Sequence, residues 1–322
     1  LAVIDISEEK DSNNVVAQMS KEMAQEPFDL AQPPLLRSRL LRVTEQEHVL
    51  MVTMHHILSD GWSMGIMVKE VMALYQSYVN GEPSPLPALE IQYGDFAYWQ
   101  REWMQGAVLE EQLSYWRKQL ADNEVLQLPT DRPRPLVYSN RGAHLYFQID
   151  SELTNRLRAL SNAEGVTLFM SLLAVFQVLL FRYTGQQQIS VGSPIANRNR
   201  AELEALIGFF VNTLVMSTSM AGRPSFRELL GRVKEVALGA YAHQDLPFEK
   251  LVEELQPERN LSHSPLFQVM MVMQNTPIGE MRLPEMEISL LAVESESAKF
   301  DLTLSISEEE SGLSAVMEYN TD

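Results

Sequence analysis

The densest group of chemically capable side chains in this 322-residue sequence is the run Met54-His55-His56-Ile57-Leu58-Ser59-Asp60-Gly61-Trp62-Ser63. The chain has six histidines, and two of them are adjacent here. Histidine changes charge near neutral pH and is the side chain best suited to moving a proton there. An aspartate a few residues further on can orient a ring, hold a turn, or pair with a buried arginine. The plainer reading is structural: Asp60 or Ser63 caps the next helix, Gly61 serves only the backbone, and either histidine alone is a satisfied core or surface residue. A metal site is a further reading, with His55, His56 and Asp60 as ligands for zinc or iron. It ranks below acid–base chemistry, because adjacent strand residues diverge and the i, i+4 histidine pair of a helical site is missing.

The elements that position this run emerge from hydrophobic periodicity. Leu35 to Val43 and His48 to His56 read as two strands joined through Thr44-Glu45-Gln46-Glu47, a hairpin. Neighbours in a strand point to opposite faces. His56 therefore shares parity with Leu50, Val52 and Met54, and His55 with Val49, Met51 and Thr53, so the two rings are expected to do different jobs. Asp60 and Gly61 fall at the turn that opens a helix over Ser63 to Tyr78, where Met67, Val71, Leu74, Tyr75 and Tyr78 recur at the helical period and Gly81 ends the pattern. A short helix over Asn13 to Gln25 precedes the hairpin. Beyond Pro83, Pro85 and Pro87 lies a second helical stretch, Tyr93 to Leu120, with Trp99, Trp103 and Trp116.

Pro129, Pro133 and Pro135 interrupt regular structure, since each fixes φ and removes a backbone donor. They divide the chain into residues 1–128, a proline-rich linker at 129–141, and residues 142–322. The third part reads as a strand over Ala143 to Ile149, a helix over Glu152 to Ala163, a buried helix over Leu168 to Tyr183 and a strand over Ile189 to Ile195. A helix over Phe226 to Tyr241, a strand over Phe267 to Met273 and a hairpin of Phe300 to Ile306 with Leu313 to Tyr319 come next. Helices mixed with hairpins predict an α/β fold, an α+β mixed-sheet sandwich, rather than a doubly wound parallel sheet.

Composition mainly excludes. Acidic residues number 43 against 25 basic, a formal charge of −18. Nucleic-acid binding needs clustered Lys and Arg, and anionic membranes repel such a chain. The absence of cysteine rules out disulfides, thiolate metal sites and a cysteine nucleophile. The longest apolar stretch, Leu168 to Phe181, is broken by Ser171 and Gln177 and is too short to cross a bilayer. No signal peptide is visible. The chain opens on Leu1 and stops directly after a strand-like run, so it is expected to be a piece of something longer.

His55-His56-x-x-x-Asp60-Gly61 resembles the signature of condensation domains of nonribosomal peptide synthetases, members of the chloramphenicol acetyltransferase-like superfamily. Further segments match in that family's order. Tyr93-Gly94-Asp95-Phe96-Ala97-Tyr98-Trp99 is similar to its fourth core motif and Ile207-Gly208-Phe209-Phe210-Val211-Asn212-Thr213 to its fifth. His243-Gln244-Asp245-Leu246-Pro247-Phe248-Glu249 is similar to the sixth, and Arg259 with Ser264-Pro265-Leu266-Phe267-Gln268 to the seventh. The family's first two motifs belong upstream of residue 1, and the end of the domain after Asp322.

The resemblance implies two acetyltransferase-like lobes in a V-shaped pseudo-dimer, a truncated N-terminal lobe at 1–128 carrying the His-His motif and a truncated C-terminal lobe at 142–322. The motif would lie in a tunnel at their junction. Donor and acceptor thioesters, carried on the phosphopantetheine arms of peptidyl carrier domains, would enter from opposite ends. An adjacent adenylation domain, a cytoplasmic location, no directly bound cofactor, no metal, and no nucleic-acid or membrane partner complete the expectation.

Within that scheme His56 is the catalytic candidate, accepting the amine proton or stabilising the zwitterionic intermediate. His55 is mainly structural. Asp60 is an ion-pair or hydrogen-bond partner, with Arg198 of Gly192-Ser193-Pro194-Ile195-Ala196-Asn197-Arg198 as its candidate arginine; an arginine of the missing upstream segment is the other candidate. Gly61 allows close approach of backbone to the substrate arm. Asn212 either places an amide at the lobe junction or caps and bridges structure. Trp99 and Phe248 are packing anchors, His243 and Asp245 scaffold, and His48, His144 and His263 ordinary loop or strand histidines.

The implied activity is that of an acyltransferase-type amide synthase, and the spelling Ile57-Leu58-Ser59-Asp60-Gly61-Trp62-Ser63 resembles domains that take a donor ending in an L-residue. The rivals are epimerisation, against which Phe210-Val211-Asn212-Thr213 and Pro265-Leu266-Phe267-Gln268 speak, and a non-catalytic module that docks carrier proteins or a tailoring enzyme, against which the intact His55-His56 pair speaks. A heterocyclisation domain would carry Asp-x-x-x-x-Asp in place of the histidines.

Overall fold

The computed structural model describes residues 1–257, 260–274, 282–283, 286–291 and 296–322. Its contacts separate two compact units. The first holds Leu1–Gly94, Arg198–Phe210 and the described part of 276–294; the second holds Asp95–Asn197, the described part of 211–275, and the described part of 295–322. These units interleave along the chain and do not coincide with the division expected at 129–141. Prolines stop regular elements, but which unit a segment joins depends on which apolar surface it covers.

In the first unit β1 (Ala2–Asp5) runs parallel to β2 (Leu36–Arg42), which pairs antiparallel with β3 (His48–Met54). Between β1 and β2 lies α1 (Ser12–Gln25), opened by the Asp11 carboxylate, which accepts from Asn14 N–H. Val16 and Met23 of α1 join Leu41 and Met51 of the sheet in a small core. The register Leu36 opposite Met54 ends the ladder before the histidines, so the expected strand over His48 to His56 is two residues shorter. His55 is extended and His56–Leu58 form a single 3-10 turn. The next helix, α2 (Gly61–Asn80), closes at Gly81, whose φ of 69° is the left-handed value that lets the chain leave a helix.

The helical stretch expected over Tyr93 to Leu120 is two helices, α3 (Tyr93–Trp103) and α4 (Gly106–Gln119). Gly106 has φ 55°, where a helix cannot continue. Trp116 of α4 is almost fully buried in the second unit and donates its indole N–H to His243 O at 3.0 Å. Next come β4 (Gly142–Asp150), α5 (Ser151–Ala163), α6 (Leu168–Thr184) and β5 (Gln188–Ile195), all near their expected places. After a short α7 (Ala201–Glu204) come β6 (Asn212–Ser219), α8 (Phe226–Ala242), α9 (Phe248–Leu255) and β7 (Val269–Gln274). A two-residue ribbon of β8 (Arg282–Leu283) and β9 (Met286–Glu287) precedes the hairpin β10 (Leu302–Glu309) and β11 (Gly312–Asn320).

The second unit is built on a six-stranded sheet in the order β4-β11-β10-β7-β5-β6. β7 is parallel to β10 and β5, while β4–β11, β10–β11 and β5–β6 are antiparallel, the mixed sheet expected of the sequence. α5 packs on β4 and β11, α6 on β5 and α8 on β6. β6 escapes a reading by period because its core mixes Leu214, Val215 and Met216 with buried Ser217 and Thr218. Its first residue pairs with Ile195 at the end of β5, so the loop between them is closed at its base. Most of that loop, Arg198–Phe210, belongs to the first unit. Among the described residues no single helix is long and apolar enough to cross a membrane.

Trp116→Ala should lower stability by about 3–5 kcal/mol, the cost of deleting a buried aromatic side chain, whereas Trp116→Phe should cost less because it loses mainly the hydrogen bond. Denaturant unfolding followed by circular dichroism checks both, and equal losses would mean that the indole hydrogen bond dominates.

Candidate active site

The turn between β3 and α2 builds the site from local rules. Asp60 has extended backbone and caps α2: its Oδ1 accepts from Ser63 N–H at 2.8 Å and from the Ser63 hydroxyl at 2.7 Å. Asp60, not Ser63, is therefore the cap. Its second oxygen accepts from Phe210 N–H at 2.9 Å. Arg198 completes the arrangement, with Nη2 3.3 Å from Asp60 Oδ1, the two side chains being only 1% and 3% exposed.

Arg198 is held as tightly as its partner. Nη1 donates to Leu203 O and, at 2.8 Å, to Leu206 O, carbonyls near the end of α7 and just beyond it. Nη2 also donates to the Ser63 hydroxyl at 2.8 Å, and the guanidinium lies 4.1 Å from the centre of the Phe210 ring. Burial pushes Arg198 below its ordinary value, opposed by the Asp60 charge and hydrogen bond, and a guanidinium stays protonated regardless. For Asp60, burial by itself would raise the carboxyl. The hydrogen bonds from Ser63 and Phe210, together with the Arg198 charge, outweigh it and hold the group below its ordinary value.

Ser63 is fully buried and joins the two sides. Its hydroxyl accepts from Gly208 N–H at 3.1 Å and lies 2.9 Å from Gly208 O, a second acceptor for its proton. Tyr93 donates its hydroxyl to Phe209 O at 2.9 Å, and its ring meets Phe210 edge to face at 5.1 Å. Burial, with the Asp60 charge, raises Tyr93, so its proton stays available to that carbonyl. Trp62 donates its indole N–H to Glu204 O at 3.0 Å. Gly208 is required by close packing: a Cβ there would lie 2.3 Å from Cδ2 of Tyr93.

The two histidines stand on this platform differently. His55 is half-buried, its Nδ1 accepting from Ile57 N–H at 3.1 Å, which puts the proton of the neutral ring on Nε2; its ring also meets Phe28 edge to face. His56 is exposed, its ring 5.1 Å from that of Phe209. Gly61 opens α2 with nothing of the protein within 4 Å of where a Cβ would stand. The structure thus brings His55, His56, Asp60, Gly61 and Arg198 together in the first unit. Asn212 belongs to the second unit, where all its amide capacity is used: Nδ2 donates to Gln244 O and Leu246 O, and Oδ1 accepts from Phe248 N–H and Thr213 N–H. It fastens the turn before α9 to the start of β6.

A family model described as Condensation domain matches residues 1–322. The chain belongs to the condensation-domain family. Among curated relatives, a subunit of linear gramicidin synthase from Brevibacillus parabrevis is 52% identical over 323 residues, covering 99% of this chain and 6% of that protein. This condensation domain therefore spans only a small part of that relative's length. Among solved structures, the X-domain from teicoplanin biosynthesis superposes with a TM-score of 0.90 at 26% identity, over 99% of this chain and 73% of that one. A four-domain nonribosomal peptide synthetase bound to AMP and glycine superposes with a TM-score of 0.84 at 25% identity, over 100% of this chain and 25% of that one.

The remaining motif residues, from Asp95 and from Val211 onward, pack within the second unit. His243 ends α8 with Nδ1 2.8 Å from Gly239 O and its ring stacked on Tyr115 at 4.1 Å. Phe248 packs on Phe267, and Trp99 stacks on Trp103. Gln268 is buried, donating to Ser264 O and accepting from Leu126 N–H. Arg259, expected in the seventh motif, lies outside the described residues. Ser63, Tyr93 and Phe209 are participants that the sequence by itself does not assign to the site. For Ser63 a signal exists: three residues beyond a capping Asp, its N–H must face that carboxylate.

Asp60→Asn leaves Arg198 buried without its counter-charge and should cost about 3–5 kcal/mol. Because Asp60 titrates lower folded than unfolded, the stability its ionised form contributes is present above the ordinary 3.8 and is lost as pH falls through the lowered folded value. Stability curves from pH 2 to 7 should therefore show a lower plateau and a flatter acid limb for the variant; an unaltered limb would assign acid sensitivity to other carboxylates.

Proposed function

We propose that this condensation domain forms peptide bonds in nonribosomal peptide synthesis, with His56 as its catalytic residue. The observation that carries the reading is an exposed imidazole beside the buried Asp60–Arg198–Ser63 cluster. The α-amine of an acceptor aminoacyl thioester attacks the carbonyl carbon of the donor aminoacyl or peptidyl thioester. The C–S bond breaks, the donor's phosphopantetheine thiolate leaves, and the peptide passes to the acceptor. His56 takes the proton released by the attacking amine, or holds the charge of the zwitterionic intermediate, and that proton ends on the departing sulfur.

A thioester has a good leaving group, so much of the acceleration comes from holding amine and carbonyl in attack geometry, which can supply about 7–11 kcal/mol. No protein nucleophile is needed, in keeping with a chain that has no cysteine. His55 and Asp60 act through the backbone they hold, Arg198 through Asp60, and Gly61 by leaving room for the substrate arm. The donor is assigned an L-residue at its reacting end. Peptidyl carrier domains and a neighbouring adenylation domain are the partners, and the cytoplasm is the location that suits them; phosphopantetheine belongs to the carriers.

A second reading has an observation of its own. The X-domain that superposes so well is also solved as a complex with OxyB from teicoplanin biosynthesis, which supports a docking role for this fold. The intact His55-His56 pair favours catalysis.

In a reconstituted assay with two loaded carrier proteins, the full-length protein should form a dipeptidyl thioester, and His56→Ala should reduce its rate about 10²–10⁴-fold, the span typical of a lost acid–base group. Unchanged turnover in the variant removes His56 from the chemistry. Carrier binding without product, even in the unaltered protein, favours docking.

A further inference from the structure

We infer that Phe209 is a positioning residue that sets the orientation of the His56 ring. The inference rests on the peptide-bond reading for its activity readout only. His56 rises from a single 3-10 turn, its side chain is exposed, and among the described residues its ring nitrogens have no hydrogen-bond partner. A ring held by neither burial nor hydrogen bonds takes its rotamer from packing. The ring of Phe209 meets it with centroids 5.1 Å apart and planes at 78°, the edge-to-face arrangement that aromatic pairs prefer.

Phe209 is itself placed with unusual completeness. The residue before it, Gly208, has both its N–H and its carbonyl within hydrogen-bond distance of the Ser63 hydroxyl. Its own carbonyl accepts from Tyr93, and the next N–H is taken by Asp60. Three consecutive residues are thus tied to the side chains of Ser63, Tyr93 and Asp60, and Phe209 stays half-exposed between buried Gly208 and buried Phe210. The buried Asp60–Arg198–Ser63 cluster in this way reaches His56 through Phe209 as well as through the chain. A phenyl ring suits the task because it neither gives nor takes a proton. It fixes the plane of the imidazole and leaves both nitrogens to the reacting groups.

The test pairs kinetics with a spectroscopic readout. In the full-length protein, Phe209→Ala should lower kcat about 10–100-fold with KM within about two-fold, the signature of lost transition-state alignment. Phe209→Tyr, which keeps the ring, should restore most of the rate, and Phe209→Leu should fall between. In histidine-labelled protein, the His56 Cε1–H resonance, assigned by its loss in His56→Ala, should move on Phe209→Ala as the ring current is removed and stay near its place in Phe209→Tyr. An unmoved resonance, or Phe209→Ala and Phe209→Leu both turning over at the unaltered rate, overturns the inference. Should Phe209→Ala not fold, Phe209→Leu and Phe209→Tyr carry the same comparison. If the unaltered protein makes no product, the peptide-bond reading fails and the resonance alone decides the role of Phe209.

Discussion

A carboxylate and a guanidinium that have both left water hold this site together. Burying either ion alone costs several kcal/mol after relaxation, and their attraction offsets that cost only where further hydrogen bonds satisfy the remaining atoms. Here they nearly all are. Asp60 is met by Ser63, Phe210 and Arg198, and Arg198 reaches two backbone carbonyls and the Ser63 hydroxyl; among the described residues its Nε has no partner. Lysine could not replace it, since the flat fork of donors reaches carbonyls on one side and Asp60 and Ser63 on the other. The pair contributes specificity of place more than raw stability: it joins a helix cap to a loop far along the chain, 138 residues separating Asp60 from Arg198.

From that junction the division between buried and exposed groups arises. Ser63, Asp60, Arg198 and Gly208 are withdrawn from solvent, while His56 and Gly61 stand exposed. A frame that cannot relax keeps the exposed side chains beside it in a defined place. The second unit repeats the device at Asn212, whose amide is spent on main-chain partners around the start of β6 and α9. Both cases use a buried polar side chain to hold irregular backbone, where regular ladders cannot satisfy the peptide groups.

The interleaving of the units has a physical origin in the β5–β6 pairing. Ile195 and Asn212 lie opposite each other, so the intervening loop begins and ends at one place. Its ends are fixed by the sheet of the second unit, and its middle by Asp60, Ser63 and Tyr93 of the first. Loops seldom bury so many main-chain groups, because unpaired peptide N–H and C=O are costly away from water; this one does so because side chains from elsewhere provide the partners.

Much of this fold is legible in the sequence, for reasons that lie within short windows. Alternation marks β2, β4, β10 and β11, the helical period marks α1, α2 and α8, and the mixture of hairpins with helices points to a mixed sheet, because each depends on neighbours a few residues apart. The His-His-x-x-x-Asp-Gly spacing points to the turn and to His56, and Arg198 is among the partners the sequence offers Asp60. Other features depend on contacts that no window contains. The strand stops at Met54 because its partner ladder does, which moves His56 from a strand face to a 3-10 turn. Gly106 breaks a stretch whose residues otherwise suit a helix. The proline-rich run marks an end of regular structure, yet residues 95–128 belong to the second unit and Arg198–Phe210 to the first. Sequence alone determined the local elements and the residue types able to do chemistry. Only the tertiary structure decided that Ser63, Tyr93 and Phe209 gather around them, because a buried charge recruits whatever donors the folded chain brings within reach, regardless of their distance along it.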